Sequence, residues 1–127
     1  MTIDEKKIAL NRAKRRERAH ERLGSNEPRC LHCEEDFPHC LELHHIAGRE
    51  VHDDVVIACR NCHRKLTELQ KDHPAPLSQS PHVLEVIGRY LLGIADLFRL
   101  LIGRLDEFGR KLIELAAQET LTVGKQA

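Results

Sequence analysis

Cys30-Leu31-His32-Cys33 and Cys59-Arg60-Asn61-Cys62-His63 are the two segments that decide the fold of this chain. Each carries a CxxC pair, and two such pairs supply the four thiolates that a tetrahedral zinc ion needs. The spacing therefore predicts one structural Zn²⁺ site with these ligands: Cys30, Cys33, Cys59 and Cys62. Other soft donors near the pairs remain rival ligands: His32, His39 and Cys40.

Length and composition also favour a small domain held by metal. The 127 residues fit one domain with an extension, and an aromatic content of 3%, without tryptophan, leaves a thin core. The cysteine count of five is odd, and Cys40 falls outside both pairs. Residues 1–6 lack the apolar run of a signal peptide. We therefore expect a cytoplasmic chain, in which CxxC pairs bind metal rather than form disulfides.

The balanced charge of the chain, +0 at pH 7, hides a strong asymmetry. Residues 1–29 carry nine Lys or Arg against five Asp or Glu, whereas residues 30–73 carry five against nine. A basic arm attracts phosphate, and an acidic centre attracts cations. This distribution favours DNA as a partner.

Residues 1–25 form the first predicted unit, a basic helix over residues 2–23. Residues 2–5 have the capping-box pattern, and Gly24-Ser25 provides a stop. Arginine and lysine dominate this segment, and apolar positions are sparse. Two interpretations stay open: a solvated helix with Arg–Glu pairs, and a helix that contacts the DNA backbone.

Residues 26–73 form the predicted metal-bearing core. Residues 41–46 alternate as a short strand does, and the β-branched run at residues 55–58 predicts a second strand. Residues 61 to about 70 then predict a helix that ends before Pro74. This order, with a zinc knuckle at each end, indicates an α+β fold.

A linker over residues 74–80 leads to a long apolar helix, predicted over residues 81–119. Ser80 is the expected N-cap, with Pro81 in the first turn. The helix carries a heptad seam of large apolar residues: Leu84, Ile87, Leu91, Ile94, Phe98, Leu101, Leu105, Phe108, Leu112 and Leu115. A break near Gly103, giving a helical hairpin, is an alternative because glycine weakens a helix by roughly 1 kcal/mol.

The seam has several interpretations. It can form a homodimer through residues 81–119, pack on the first helix, or belong to the core of one compact domain. So long a seam needs more partner surface than the small core offers. No membrane partner is expected, because Asp96 and Arg99 interrupt the most apolar stretch, residues 90–102, which is too short for a bilayer core of about 30 Å.

The segments 43–46, 53–59 and 60–63 together resemble the HNH endonucleases. The double histidine, the apolar strand and the CxxCH sequence occur in the order and at the short separations of that family. More specifically, they are similar to the members whose ββα-metal motif, or His-Me finger, is held by a four-cysteine zinc. The resemblance covers about residues 28–70 and neither flanking helix. It implies a metal-dependent endonuclease that nicks DNA or cuts both strands.

The resemblance assigns a role to each catalytic position. His45 matches the general base that deprotonates the attacking water, while His44 and His63 match ligands of a catalytic Mg²⁺ or Mn²⁺. Asp54 stands where the family has its middle Asn, which orients the base; an Asp accepts the same hydrogen bonds but cannot donate as an amide does. Relatives often carry a further ligand where this chain has Thr67, which can reach the metal only through water.

The residue types suit phosphodiester hydrolysis without the family as well. Histidine supplies a base whose ordinary pKa is near neutral, and a divalent cation offsets charge on the phosphate and the leaving oxygen. The arginines close to the site in sequence are candidate phosphate contacts: Arg49, Arg60 and Arg64. By resemblance, in-line attack by water leaves a 5′-phosphate and a 3′-hydroxyl.

Two rival functions remain. Residues 59–63 also match the CxxCH pattern of c-type haem attachment, which leaves Cys30 and Cys33 without a role. A non-catalytic zinc-binding module for nucleic acid keeps the cysteines and the basic helix but makes the histidines incidental.

Overall fold

Three helices and two strands follow one another through residues 1–126, the part of the chain that this computed structural model describes, with side chains described to residue 124. The elements are α1 (Ile3–Leu23), β1 (Leu41–His45), β2 (Val55–Cys59), α2 (Arg60–Gln70) and α3 (Val83–Gln126). A 3-10 turn at Pro38–Cys40 leads into β1. The predicted α+β class is therefore confirmed.

α1 forms as its capping signals predict. The Thr2 hydroxyl accepts a hydrogen bond from the Glu5 amide (3.1 Å), and the Glu5 carboxylate accepts one from the Thr2 amide (2.7 Å). Two amides without helical partners are thereby satisfied. Gly24 ends the helix in the left-handed conformation, with φ of 69°, which glycine adopts without steric strain. The last turn buries Ala19 and Leu23, and the charged turns before it are exposed.

β1 and β2 form an antiparallel hairpin. Its register sets His44 opposite Val56 and His45 opposite Val55. Successive side chains of a strand point to opposite faces, so the two histidines lie on different faces, and Glu42 shares the face of His44. β1 ends at His45, one residue earlier than predicted, and β2 ends at Cys59, one residue later than predicted.

α2 packs across the hairpin and closes a small core. Leu41, Ala58 and Leu66 are at most 1% exposed, and Leu97 and Leu100 of α3 pack against the same cluster. Burying a leucine side chain contributes roughly 1.5–3 kcal/mol. The remaining buried members of the cluster include three thiols: Cys30, Cys59 and Cys62. The stability of this core therefore depends on what holds the cysteines together.

α3 is one uninterrupted helix, Val83–Gln126, so the alternative of a break near Gly103 is wrong. The helix is anchored on both sides of that glycine. Leu100 packs against the core, and the Arg104 guanidinium donates a hydrogen bond to the His32 carbonyl. These anchors outweigh the roughly 1 kcal/mol by which glycine weakens a helix.

The start of α3 also differs from the prediction. The helix begins at Val83, so Pro81 lies outside its first turn and Ser80 is not its N-cap. His82 takes that place: its carbonyl accepts the first helical hydrogen bond (3.1 Å), and its Nδ1 accepts the Leu84 amide (3.1 Å). A ring nitrogen therefore caps the helix where the sequence predicts a hydroxyl.

α3 presents two apolar faces. One face, with Leu97 and Leu100, is half-buried against the core. The other carries the heptad seam, in which every residue except Ile94 is at least 45% exposed. All side chains from residue 105 to residue 124 are exposed, so the helix projects about 30 Å past the core. No helix in the described residues combines the length and the apolarity that crossing a membrane requires.

Gly93 is the point where α3 approaches the hairpin most closely. A Cβ on residue 93 would fall well inside van der Waals contact of the Ile46 carbonyl. Alanine normally favours a helix over glycine by about 1 kcal/mol. We nevertheless expect Gly93→Ala to lower the free energy of unfolding by roughly 1–3 kcal/mol, as overpacking does. Urea unfolding, followed by the fluorescence of Tyr90, measures the change, because Tyr90 is the one tyrosine in a chain without tryptophan.

Gly103→Ala is the matched control, because nothing lies within 4 Å of a Cβ at that position. This variant should gain about 1 kcal/mol of unfolding free energy. Equal stability of the Gly93 and Gly103 variants would contradict the close contact between α3 and the hairpin.

Candidate functional site

Four cysteine sulfurs converge where the first knuckle meets the start of α2. The Sγ atoms of Cys30, Cys33, Cys59 and Cys62 all lie within 4.8 Å of one another. Sulfurs that share one tetrahedral zinc at about 2.3 Å lie about 3.8 Å apart, so the donor set and its spacing fit such an ion. The predicted four-cysteine cluster is confirmed as one that could hold zinc. Among the residues described, no other set of three or more His, Cys, Asp or Glu donors gathers this tightly.

Each cysteine pair reaches the cluster through a local turn. In the first knuckle, the Cys30 amide donates to the Glu35 carbonyl (2.9 Å), and Glu34 closes the turn with a φ of 64°. In the second, Cys59 is the N-cap of α2, and its Sγ accepts the Cys62 amide (3.4 Å). The positive end of the helix dipole stabilises a thiolate at that position.

The electrostatics of the cluster favour a bound cation. Burial opposes ionisation of Cys30, but the backbone amides of Cys33 and Cys59 outweigh it and lower the pKa of Cys30 from 9.0 to about 7. Burial and the neighbouring thiols raise the pKa of Cys62. Ionised thiols this close repel one another, and a divalent cation removes that repulsion.

The rival zinc ligands lie outside the cluster. His32 and His39 contribute no donor to it, and Cys40 is a half-buried free thiol. Attachment of a c-type haem would require the thiols of Cys59 and Cys62. Both belong to the four-sulfur cluster, so the geometry disfavours haem attachment.

A second group of ionisable side chains lies between β1 and α2. The rings of His44 and His63 make an edge-on contact, with centroids 5.3 Å apart. His63 Nδ1 is 2.7 Å from Glu42 Oε2, and the same carboxylate lies 3.4 Å from Arg60 Nε. A carboxylate on one ring nitrogen fixes the tautomer and leaves the other nitrogen free for a metal. The fold thus brings together the two histidines that the resemblance names as metal ligands.

His44 is buried and incompletely hydrogen-bonded. It is 1% exposed, and its Nε2 has no hydrogen-bond partner among the described residues. Burial, reinforced by His63, lowers its pKa from 6.5 to about 4, although Asp96 opposes the shift. A buried polar atom without a partner is unfavourable by about 1–3 kcal/mol. A neutral imidazole with a free lone pair suits a divalent metal, so these residues fit a cation held by His44 and His63.

His45 and Asp54 flank the open end of the hairpin. The Ile46 amide donates to the Asp54 carbonyl (3.1 Å), which closes the base of the loop beside His45. His45 is half-buried, and its backbone carbonyl accepts a hydrogen bond from Gln70 Nε2 (2.9 Å). The Asp54 carboxylate accepts a hydrogen bond from the Tyr90 hydroxyl (2.7 Å), which raises the pKa of Tyr90. Orientation of the base by Asp54 stays a prediction.

An open pocket of about 660 Å³ lies beside His63. Its lining includes two of the predicted phosphate contacts, Arg60 and Arg64, whereas Arg49 is exposed on the loop between the strands. Thr67 also lines the pocket, and its hydroxyl donates to the His63 carbonyl (2.9 Å). The carboxylates of Glu42 and Glu68 line it as well, so the pocket presents charges of both signs.

Three residues of the site were missed by the sequence motifs. Glu42 carries a usable signal, since it lies two positions before His44 on the same strand face. Tyr90 carries none, because it lies 36 residues from Asp54 along the chain and reaches it only through the packing of α3. Asp96, 1% exposed, is a further charged group that α3 brings near His44.

The site combines a four-thiol clamp, two adjoining imidazoles suited to a cation, and the imidazole of His45 on the opposite face of β1. No protein-family model, no curated protein and no solved structure matches this chain.

Proposed function

We propose that this protein is a metal-dependent HNH endonuclease that hydrolyses DNA phosphodiester bonds, with a ββα-metal core at residues 26–73. One observation carries the proposal. His44 on β1 and His63 on α2 meet edge to edge, with an unpartnered Nε2 on the first and a carboxylate on the second. These are the features of histidines that hold a metal. The adjoining His45 lies on the other strand face and supplies an imidazole outside that pair.

Two metal ions have separate duties in this proposal. The four-cysteine cluster would hold Zn²⁺, whose closed sulfur shell leaves no position for substrate. His44 and His63 would hold Mg²⁺ or Mn²⁺, which supplies stabilisation of the charge on the phosphate and the leaving oxygen. Two protein ligands leave room for oxygens of phosphate and water, which these hard cations prefer.

His45 acts as the general base. Its ring nitrogen removes a proton from the attacking water, whose oxygen bonds to phosphorus as the bond from phosphorus to the 3′ oxygen breaks. The 3′ oxygen then takes a proton from solvent, which leaves a 5′-phosphate and a 3′-hydroxyl. Arg60 and Arg64 neutralise phosphate charge in the pocket beside His63, and Arg49 contacts a neighbouring phosphate from the loop.

A plasmid assay tests this function. Zinc-loaded protein with Mg²⁺ or Mn²⁺ should convert supercoiled plasmid to the open-circular form, and further to the linear form if both strands are cut. A panel of divalent cations, with a reaction lacking added metal, shows whether cleavage depends on the second metal. DNA that stays supercoiled with every metal, at protein concentrations where it is bound, contradicts the proposal.

A non-catalytic zinc-binding module for nucleic acid is the alternative function. The exposed arginines of α1 favour it, since they can bind DNA without any chemistry. Plasmid that is bound but never cut would support this alternative.

We further propose that the exposed seam of α3 binds a second copy of this chain. The heptad period is sustained over residues 84–115, about 48 Å of helix, and a helix with the same period matches it along its whole length. Nine of the ten seam side chains are at least 45% exposed, so a partner helix would cover large apolar groups along the whole seam. Small residues flank the seam and allow close approach: Gly88, Ala95, Gly109 and Ala116.

Charge placed on the projecting part of the seam should abolish self-association. Leu105 and Leu112 are 62% and 66% exposed, so Leu105→Glu with Leu112→Glu leaves the core intact but buries four like charges in a dimer. We expect the parent protein to be a dimer by light scattering and this double variant to be a monomer. Its plasmid product should shift from linear to open-circular, because one site per particle cuts one strand per encounter.

Ile113→Glu with Leu121→Glu is the matched control for the seam. Both residues are exposed on the same helix, at 73% and 66%, but lie off the heptad positions. This variant adds the same charge and should remain a dimer. A parent protein that is monomeric at all tested concentrations would rule out the second copy as partner.

A further inference from the structure

A cleft of about 640 Å³ separates α1 from residues 26–29 and 36–39. One wall is a single face of α1 that carries three arginines, the second and third of which follow the first by three and four positions. A fourth arginine comes from the opposite wall. These side chains are Arg12, Arg15, Arg16 and Arg29. The carboxylates of Glu27 and Asp36 also line the cleft, so the positive charge is only half offset.

The arginines of the cleft have no carboxylate partner within 4.0 Å in the part of the chain that the structure describes. The Arg–Glu pairs that one interpretation of the sequence expects on α1 are therefore not formed. Arg22 instead donates to the carbonyl of Leu41 (3.1 Å), which ties the end of α1 to β1. Guanidinium groups stay charged at every physiological pH, so this cluster repels itself and attracts a polyanion.

Phe37 and His39 give the same cleft an aromatic wall. Their rings make an edge-on contact, with centroids 5.2 Å apart, and Phe37 is 54% exposed. Surfaces that bind nucleic-acid strands combine cations for the phosphates with exposed rings for the bases. A ring can stack on a base only where a strand is unpaired, so the case for duplex DNA depends on the arginines, and the comparison with an acidic peptide is left to the experiment.

We propose that this cleft binds the phosphodiester backbone of DNA away from the cleaved bond. The proposal rests on the proposed function, because it names the surface where the substrate of that function docks. The cleft lies at the end of β1 that is remote from His45. Residues 39–45 span at most about 20 Å of extended chain. Since phosphates follow one another every 3.4 Å or so along each strand of the duplex, α1 contacts phosphates up to about six nucleotides from the scissile one.

Binding of uncut DNA tests the cleft separately from catalysis. The probe is a fluorescein-labelled duplex, measured by anisotropy with the zinc-loaded protein and no added Mg²⁺ or Mn²⁺. Arg12→Ala with Arg15→Ala and Arg16→Ala should weaken binding about 10-fold or more. The slope of log affinity against log salt should become shallower by about 3, because each phosphate contact contributes about 0.9.

Lys7→Ala with Lys14→Ala and Arg18→Ala is the matched control. It removes the same charge from the same helix, but none of its residues lines the cleft. This variant should bind within about threefold of the parent protein, because screened charges outside the cleft contact no phosphate. If the two triple variants weaken duplex binding equally, the DNA is attracted to α1 as a whole, and the proposal that the cleft binds it is wrong.

Three other binding results overturn the cleft proposal as well. They are a parent protein that does not bind the duplex, a cleft variant that binds like the parent, and displacement of the duplex by polyglutamate as effectively as by unlabelled DNA of equal charge. Cleft-dependent binding by a protein that never cuts plasmid supports the cleft and contradicts the nuclease. Plasmid cleavage that is unaffected in the cleft variant keeps the nuclease and overturns the cleft. Cleavage that falls in this variant and recovers at high DNA concentration supports both.

Discussion

Cys62→Ala is expected to release zinc and unfold the core. A structural zinc contributes on the order of 10 kcal/mol to the folding of a small domain, which is as much as the total stability of a typical one. Cys62 is 3% exposed, and its amide donates to Cys59 Sγ (3.4 Å) in the first turn of α2. Loss of its thiolate therefore loosens the first knuckle, the hairpin and α2 together.

Zinc content and thermal unfolding measure this result. Elemental analysis should find about one zinc per chain in the parent protein and clearly less in the variant, and the cooperative change in Tyr90 fluorescence on heating should be lost. Cys40→Ala is the matched control, since that thiol is half-buried and outside the cluster. It should keep its zinc and lose no more than about 1 kcal/mol. A Cys62 variant with full zinc content and the parent's melting temperature would refute the four-cysteine clamp.

The parts of this fold that could be predicted depend on residues close together in the sequence. Each CxxC pair specifies its own turn, and the capping box of α1 involves only Thr2 and Glu5. The strands could be predicted because alternation and β-branched runs are local. The pairing of the two knuckles followed from chemistry, since four thiolates complete one zinc site.

The position of α3 could not be predicted in the same way. Periodicity identified the heptad seam as its most apolar stripe, yet the core uses the neighbouring stripe with Leu97 and Leu100. Which stripe of α3 faces the core is decided by tertiary contacts, and the spacing of apolar residues in the sequence does not show them. Gly93 lets the helix approach the Ile46 carbonyl, and His73 Nε2 lies 2.7 Å from the buried Asp96 carboxylate.

The environment of Asp54 shows the same limit at the site itself. The role of this residue in orienting the base stays a prediction, and the structure adds a hydrogen bond to its carboxylate from Tyr90 (2.7 Å) that the resemblance does not imply. A hydrogen bond between residues 36 positions apart depends on tertiary packing, so it could not be predicted from the local motif around Asp54. It ties the loop of the candidate site to α3, which also carries the seam.

His45→Ala should lower plasmid cleavage by about 100-fold or more without changing zinc content or unfolding. A positioned general base accelerates proton transfer by roughly 10²–10⁴-fold, and its removal leaves water itself to lose the proton unaided. The ring is half-buried, and the hydrogen bond to Gln70 is made by the backbone carbonyl. Truncation should therefore leave the hairpin intact, and the binding of uncut duplex should match that of the parent.

Two treatments separate a base from a metal ligand. Imidazole in solution should restore part of the cleavage by the His45 variant, because it enters the vacated space and accepts the proton. Higher Mn²⁺ should not restore it. His63→Ala is expected to respond in the opposite way, since its missing function is ligation beside His44, which mass action partly replaces. Cleavage at the parent rate by the His45 variant, or recovery with Mn²⁺ alone, would remove His45 from the role of base and leave the two adjoining histidines as the whole site.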